Sequence, residues 1–158
     1  MAGWKEIEDS APQFAASVRR HLDTRVHKTI ATLRADGSPR ISGIEVFFAD
    51  DDLWFGSMPN ARKALDLRRD PRFALHSGSV DPPEWEGDAK LTGRAEELTE
   101  PKRRLAIFRN QGSDPPSEES HLFRAEIHEA VRIGLNEVRD RLVIELWRPG
   151  RELERIER

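Results

Sequence analysis

The chain has 158 residues, a length that favours one domain and can bury a working core. Its 26 Lys plus Arg against 29 Asp plus Glu give a net charge of −3, which argues against a duplex-binding protein with a strongly basic face. The lack of cysteine excludes disulfides, thiolate metal sites and cysteine nucleophiles. No segment has the apolar length of a signal-peptide core or a membrane span, so a cytoplasmic protein with no membrane and no nucleic-acid partner is expected. Hydrophobic content of 37% beside 35% charged residues is a lean apolar supply, of the kind that a second copy of the chain completes.

The first predicted element is a helix ending near Asp23, with Phe14, Val18 and Leu22 as its apolar stripe. Ser10 and Gln13 are read as its capping box, with Pro12 in the first turn. Three β-rich runs follow, "KTIATL", "RISGIEVFF" and "DLWFGS", separated by the turn-forming "RADGSP" and "ADDD". They predict an antiparallel meander. In the third run Trp54 and Phe55 alternate, so only one of them is expected in the core.

A short helix is predicted over Asn60–Arg69, stopped by "RDP", because a residue before proline avoids the helical region. "RFALHSGSV" is a fourth strand, "DPPEWEGD" a loop and "AKLTGRAEEL" a fifth strand. "TEPKRRLAIFRNQG" reads as a helix capped by Thr99 and stopped by Gly112, followed by a flexible connector, "SDPPSEES". "HLFRAEIHEAVRIGL" alternates, but its phase changes between Ile127 and Val131, which predicts two strands joined by a bend or loop. "RLVIELWRP" is the last strand, and "GRELERIER" a charged tail. Short strands interrupted by three helices predict a mainly β fold, a small barrel with helical covers.

One stretch, "MPNARKALDLRRDP", is electrostatically odd. Helix starts favour acidic side chains, yet this one opens with Arg62 and Lys63. With Asn60 as N-cap, the free N–H groups, an arginine fork and a lysine converge at one helix end, and Ser57 adds a hydroxyl. A bound phosphate would balance them. The competing account pairs either cation with Asp66 within the helix. Glu45 is equally open: it either contacts a ligand or is an exposed barrel residue beside an arginine. The five histidines offer no close ligand pair, so no metal site is expected, and no catalytic acid or base stands out.

The combination "ATLRADGSPRISGIEVFF", "DDLWFGS" and "NARKALDLRRDPRFAL" resembles the pyridoxamine 5′-phosphate oxidase-like superfamily, the flavin-binding split β-barrels. The resemblance is strongest from Thr29 to about Glu96. It implies one split-barrel domain over residues 1–158: an N-terminal helix to 24, a barrel core with the cofactor motif over 25–98, a helix and connector over 99–120, and C-terminal strands with a charged tail over 121–158. It further implies a homodimer with the cofactor at the subunit interface. Arg62 and Lys63 would hold the phosphate of flavin mononucleotide (FMN) or a related cofactor, assisted by Ser57. Ser42, Gly43, Ile44, Glu45 and Val46 would run under the ring, and Asp88 or a neighbour would reach it from the partner subunit.

The C-terminal "LVIELWRPGRELERIER" has Trp147, Arg148 and Arg151 but lacks the oxidases' substrate-gripping pattern, which argues against vitamin B6 oxidation. The chain looks more like the flavin or deazaflavin oxidoreductase branch, whose cofactor is FMN or coenzyme F-420. The resemblance thus implies hydride transfer between that cofactor and a small organic substrate. The alternative is a non-catalytic flavin- or haem-binding carrier or sensor.

Overall fold

Alternating burial builds the barrel wall. In the computed structural model, which describes residues 2–112 and 117–158, β1 (Lys28–Leu33) turns Lys28, Ile30 and Thr32 inward. The long β6 (Asp88–Glu97) buries Ala89, Leu91 and Ala95 in the same way. With β2 (Pro39–Ile44), β3 (Val46–Ala49), β4 (Asp52–Ser57), β5 (Arg72–His76) and β7 (His121–Leu135), they form one antiparallel sheet in the order β2-β1-β5-β6-β7-β4-β3. β8 (Leu142–Trp147) adds to β7, and β9 (Glu154–Glu157) to β8.

The closure of this sheet is covalent. β2 and β3 are the two ends of the main path, yet only Glu45 separates them. At one Cα step per residue, Ile44 and Val46 lie within roughly 7 Å of each other, so the sheet must curl until its edges meet. It is a split β-barrel, with the split at Glu45. This corrects the continuous "RISGIEVFF" strand and the simple meander. β2 pairs with β1 up to Ile44, opposite Lys28, and β3 pairs with β4 from Val46, opposite Phe55. No β2–β3 ladder exists among the described residues.

Inside, Phe55 lies 5.5 Å from Phe73 and 5.7 Å from Phe123 between ring centroids, amid Ile30, Leu53, Leu75 and Leu91. Two helices cover the barrel. α1 (Trp4–Ser10), absent from the sequence expectation, buries Trp4 and Ile7, and α2 (Pro12–Asp23) buries Phe14, Val18 and Leu22 as predicted. The expected capping box does not form: Ala11 is the N-cap, and Ser10 Oγ donates to the Glu6 carbonyl and accepts from Trp147 Nε1 at 2.9 Å. Trp54 is buried as well as Phe55. It faces outward into a second apolar cluster with Ile107, Phe108 and Leu122 beneath α4 (Pro101–Asn110). Glu100, not Thr99, caps α4, accepting from the N–H groups of Lys102 and Arg103.

The phase change in β7 is a bulge within one strand. Glu129 pairs with Thr92 and Ile127 with Gly93, leaving His128 as the extra residue. The tail expected to be only charged pairs with β8 as β9. Residues 113–116 of the expected connector lie outside the described ones, among which no helix is long and apolar enough to cross a membrane.

The bulge depends on Gly93. A Cβ there would lie 1.9 Å from the carbonyl oxygen of Glu126, a backbone atom that cannot yield alone. Gly93→Ala should therefore cost about 3 kcal/mol in denaturant unfolding, the upper range of overpacking. Lys90→Ala, exposed on the same strand, should change stability by less than about 0.5 kcal/mol.

Candidate functional site

A cleft of about 650 Å³ opens where the barrel splits. Gly43 to Phe47 form one wall, and Gly56, Ser57 and Met58 at the end of β4 another. Lys63 enters from α3 (Arg62–Arg69), Arg25 to Lys28 from the α2–β1 connection, and Phe108 and Gln111 from the end of α4.

The turn into α3 is held by a buried relay. Asn60 has a left-handed φ of 58°, and its N–H donates to His121 Nε2 at 3.3 Å. Because Nε2 accepts, Nδ1 carries the imidazole proton and donates to Glu97 Oε1 at 2.7 Å. Glu97 also receives the Arg68 fork at 2.6 and 2.9 Å. Burial alone would raise the Glu97 carboxyl, but the bonds from Arg68 and His121 hold it below its ordinary value. Asn60 is thus a backbone hinge and not the N-cap, which is Ala61 with no side-chain cap. His121 and Glu97 escaped the sequence reading, because they lie on β7 and β6 and meet only in the fold.

Asp66 does not pair with Arg62 or Lys63. It points inward, 3% exposed, where Oδ2 accepts from Arg40 at 2.7 Å and Thr32 at 2.9 Å, and Oδ1 from Arg69 at 2.9 Å. The one acid in α3 is therefore committed elsewhere. Lys63 Nζ donates to the Gly43 carbonyl at 2.8 Å, and burial lowers its pKa. Arg62 is exposed and makes no ion pair among the described residues. Ser57 Oγ, on the cleft wall, is buried with no hydrogen-bond partner among the described residues. An uncapped helix start, an orphaned hydroxyl and an ammonium with donors to spare form a set that fits a phosphate.

Of the strand expected under a ring, Gly43, Ile44, Glu45 and Val46 border the cleft, while Ser42 does not. Glu45 belongs to no strand. Its side chain is 65% exposed and stands 3.8 Å from His27 at the rim. Asp88 lies outside this chain's cleft, 3.8 Å from His76, with its Oδ1 buried and without a hydrogen-bond partner among the described residues. The sequence reading missed Lys28, whose inward phase with Ile30 was its only signal, and Phe108, which α4 brings in from far along the chain.

Removing the Asp66 carboxylate strands Arg40 and Arg69, each partly solvated. Asp66→Asn should cost about 2–3 kcal/mol in urea unfolding near neutral pH. Burial acts to raise the Asp66 carboxyl, but bonds from Arg40, Arg69 and Thr32 outweigh it and leave the group depressed below 3.8. Its stabilisation is therefore complete above the unfolded value and lost as pH falls through the folded one. The gap between wild type and Asp66→Asn should narrow as pH falls below the ordinary carboxylate value of 3.8.

A family model for pyridoxamine 5′-phosphate oxidase matches residues 16–131. A comparison with curated proteins finds no match. Among solved structures, a pyridoxamine 5′-phosphate oxidase-related, FMN-binding protein from Nostoc punctiforme aligns at TM-score 0.67 and 13% identity, covering 100% of this chain and 97% of that one. PhzG from Burkholderia lata, in complex with tetrahydrophenazine-1-carboxylic acid, gives 0.67 at 16% identity over 100% and 96%. An F-420 reductase gives 0.55 at 16% identity over 71% and 94%. At these identities the structures establish the fold, and the family match spans most of the barrel. The chain belongs to the pyridoxamine 5′-phosphate oxidase family.

Proposed function

We propose that this protein is an oxidoreductase that binds FMN or the deazaflavin coenzyme F-420 in the cleft at the barrel split. It would transfer hydride between that cofactor and a small organic substrate. The observation that carries this reading is the orphaned Ser57 hydroxyl beside Lys63, at a helix start whose only acid is buried elsewhere. Arg62, Lys63, Ser57 and the free N–H groups of α3 hold the phosphate. The backbone from Gly43 to Val46 borders the ring, with Ser42 behind it. Phe47 and Phe108, 6.0 Å apart, give the cleft an apolar flank that excludes water. Bound here, the ring supplies the redox chemistry, and the protein positions it and admits the substrate. The FMN-binding neighbour from Nostoc punctiforme and the F-420 reductase support both cofactor choices.

A homodimer with the cofactor at the subunit interface belongs to the same proposal. Val26 and Met58 on the cleft rim are 67% and 71% exposed, and Ile41 on the edge strand β2 is 75% exposed. A second copy laid over the open cleft would cover this apolar surface. The proposal for Asp88 is contact with the cofactor across that interface, supported by its unpartnered Oδ1. A haem ligand is less well supported, because among the described residues His27 is the sole histidine on the cleft and its side chain is 78% exposed. A flavin carrier or sensor would use the same phosphate clamp and is separated from an enzyme by turnover alone.

The double variant Arg62→Ala/Lys63→Ala should bind FMN or coenzyme F-420, whichever the wild type binds, at least about tenfold more weakly, since charge-assisted bonds contribute about 1.5–3 kcal/mol each. Fluorescence titration checks this. Equal affinity in a folded double variant would refute the phosphate site.

A further inference from the structure

Lys28 is a buried cation on the cleft wall that forms no ion pair among the described residues. As the first residue of β1 it shares the inward face of Ile30 and Thr32 and is 5% exposed. Its Nζ donates to the carbonyls of Arg25 and Val26, in the connection that leads into the strand. An ammonium has three N–H donors, so one remains. Carbonyl oxygens solvate a cation but do not neutralise it. The acids that act on Lys28, Asp23 and Glu45, are both exposed, and neither forms an ion pair with it. Burial consequently depresses the Lys28 pKa. Burying a charge without an opposite charge is costly, and an apolar side chain would fill the same position at no such cost.

The place of this ammonium in the cleft is specific. Lys28 pairs with Ile44 across β1 and β2, while Lys63 holds the carbonyl of Gly43, the residue before it. The backbone of Lys28 and the ammonium of Lys63 thus meet the same short segment, and both residues line the cleft. Arg25 on the same wall adds to the positive side, with Asp23 and the rim carboxylate of Glu45 as the acids facing it.

We infer that Lys28 is a second anion-binding residue of the cleft, which pairs with a delocalised oxyanion that the ligand carries apart from its phosphate. That chemistry is met by a carboxylate on the substrate or by the anionic imide edge of a reduced flavin-type ring. The inference rests on the cofactor reading above for the ring source but not for the carboxylate source.

The test uses the purified full chain and Lys28→Met, titrated with benzoate and, anaerobically, with oxidised and dithionite-reduced FMN. The expected result is a loss of at least about tenfold in affinity for benzoate, for reduced FMN, or for both, with oxidised FMN bound within about twofold of wild type. Loss for benzoate alone assigns the residue to a carboxylate substrate. Loss for reduced FMN alone assigns it to the ring, and the FMN midpoint potential falls with it. Unchanged affinity for both probes overturns the inference and leaves Lys28 a brace for the α2–β1 connection. If the wild type binds FMN in neither state, FMN is ruled out as the cofactor while the benzoate arm still decides the role of Lys28. Should Lys28→Met not fold, the Cε resonance of Lys28 in wild type must shift on addition of benzoate or reduced FMN, and a resonance that both leave unmoved overturns the inference.

Discussion

A single residue joins the two edges of the sheet, and most of the molecule follows from that connection. With Glu45 alone between β2 and β3, the strands cannot lie flat, because their partners β1 and β4 stand far apart in the sheet order. The sheet curls, and the edges that would otherwise offer unpaired N–H and C=O groups face each other across a gap. That gap exposes the main chain from Gly43 to Val46 to the cleft. Lys63 takes the Gly43 carbonyl from one side, and Lys28 lies against Ile44 from the other. The cleft is therefore a consequence of closure, not a hollow added to a finished barrel.

Charge is distributed around this gap in a consistent way. The acids near α3 are drawn away from the cleft: Asp66 into Arg40, Arg69 and Thr32, and Glu97 into Arg68 and His121. The cations are left on it. A helix that places its only carboxylate on the buried face and two cations in its first turn keeps its N-terminal field open to an anion. The relay from Glu97 through His121 to the Asn60 N–H holds the preceding turn in a left-handed conformation, which fixes the direction in which α3 starts. These acids shape the cleft without lining it.

The sequence made the local elements legible where one signal sufficed. β1 and β4 announce themselves as β-rich runs bounded by turn residues, and the turn between β1 and β2 by Asp36, Gly37 and Ser38, with Gly37 at φ 83° and Asp36 accepting from Ser38. Ser57 and Lys63, which line the cleft, were legible as candidates because the anomaly they form is local to one helix start. What stayed hidden is what distant pairing decides. The break at Glu45 looks like ordinary strand, since only the change of partner from β1 to β4 creates it. The bulge at His128 mimics a loop because one extra residue reverses the facing of all that follow. Every residue of β9 is exposed, so it shows no buried face to read. Lys28 reads as a surface lysine until the barrel closes over it.

If the cleft is a cofactor site, the start of α3 must recognise a phosphate. The direct measurement is a fluorescence titration of the purified protein with each cofactor beside its phosphate-free counterpart: FMN against riboflavin, and coenzyme F-420 against its deazaflavin alcohol. The predicted result is that one phosphorylated cofactor binds at least about a hundredfold more tightly than its counterpart, as two charge-assisted bonds to phosphate require. Equal affinity within a pair, or no binding of either cofactor by the folded protein, would contradict it.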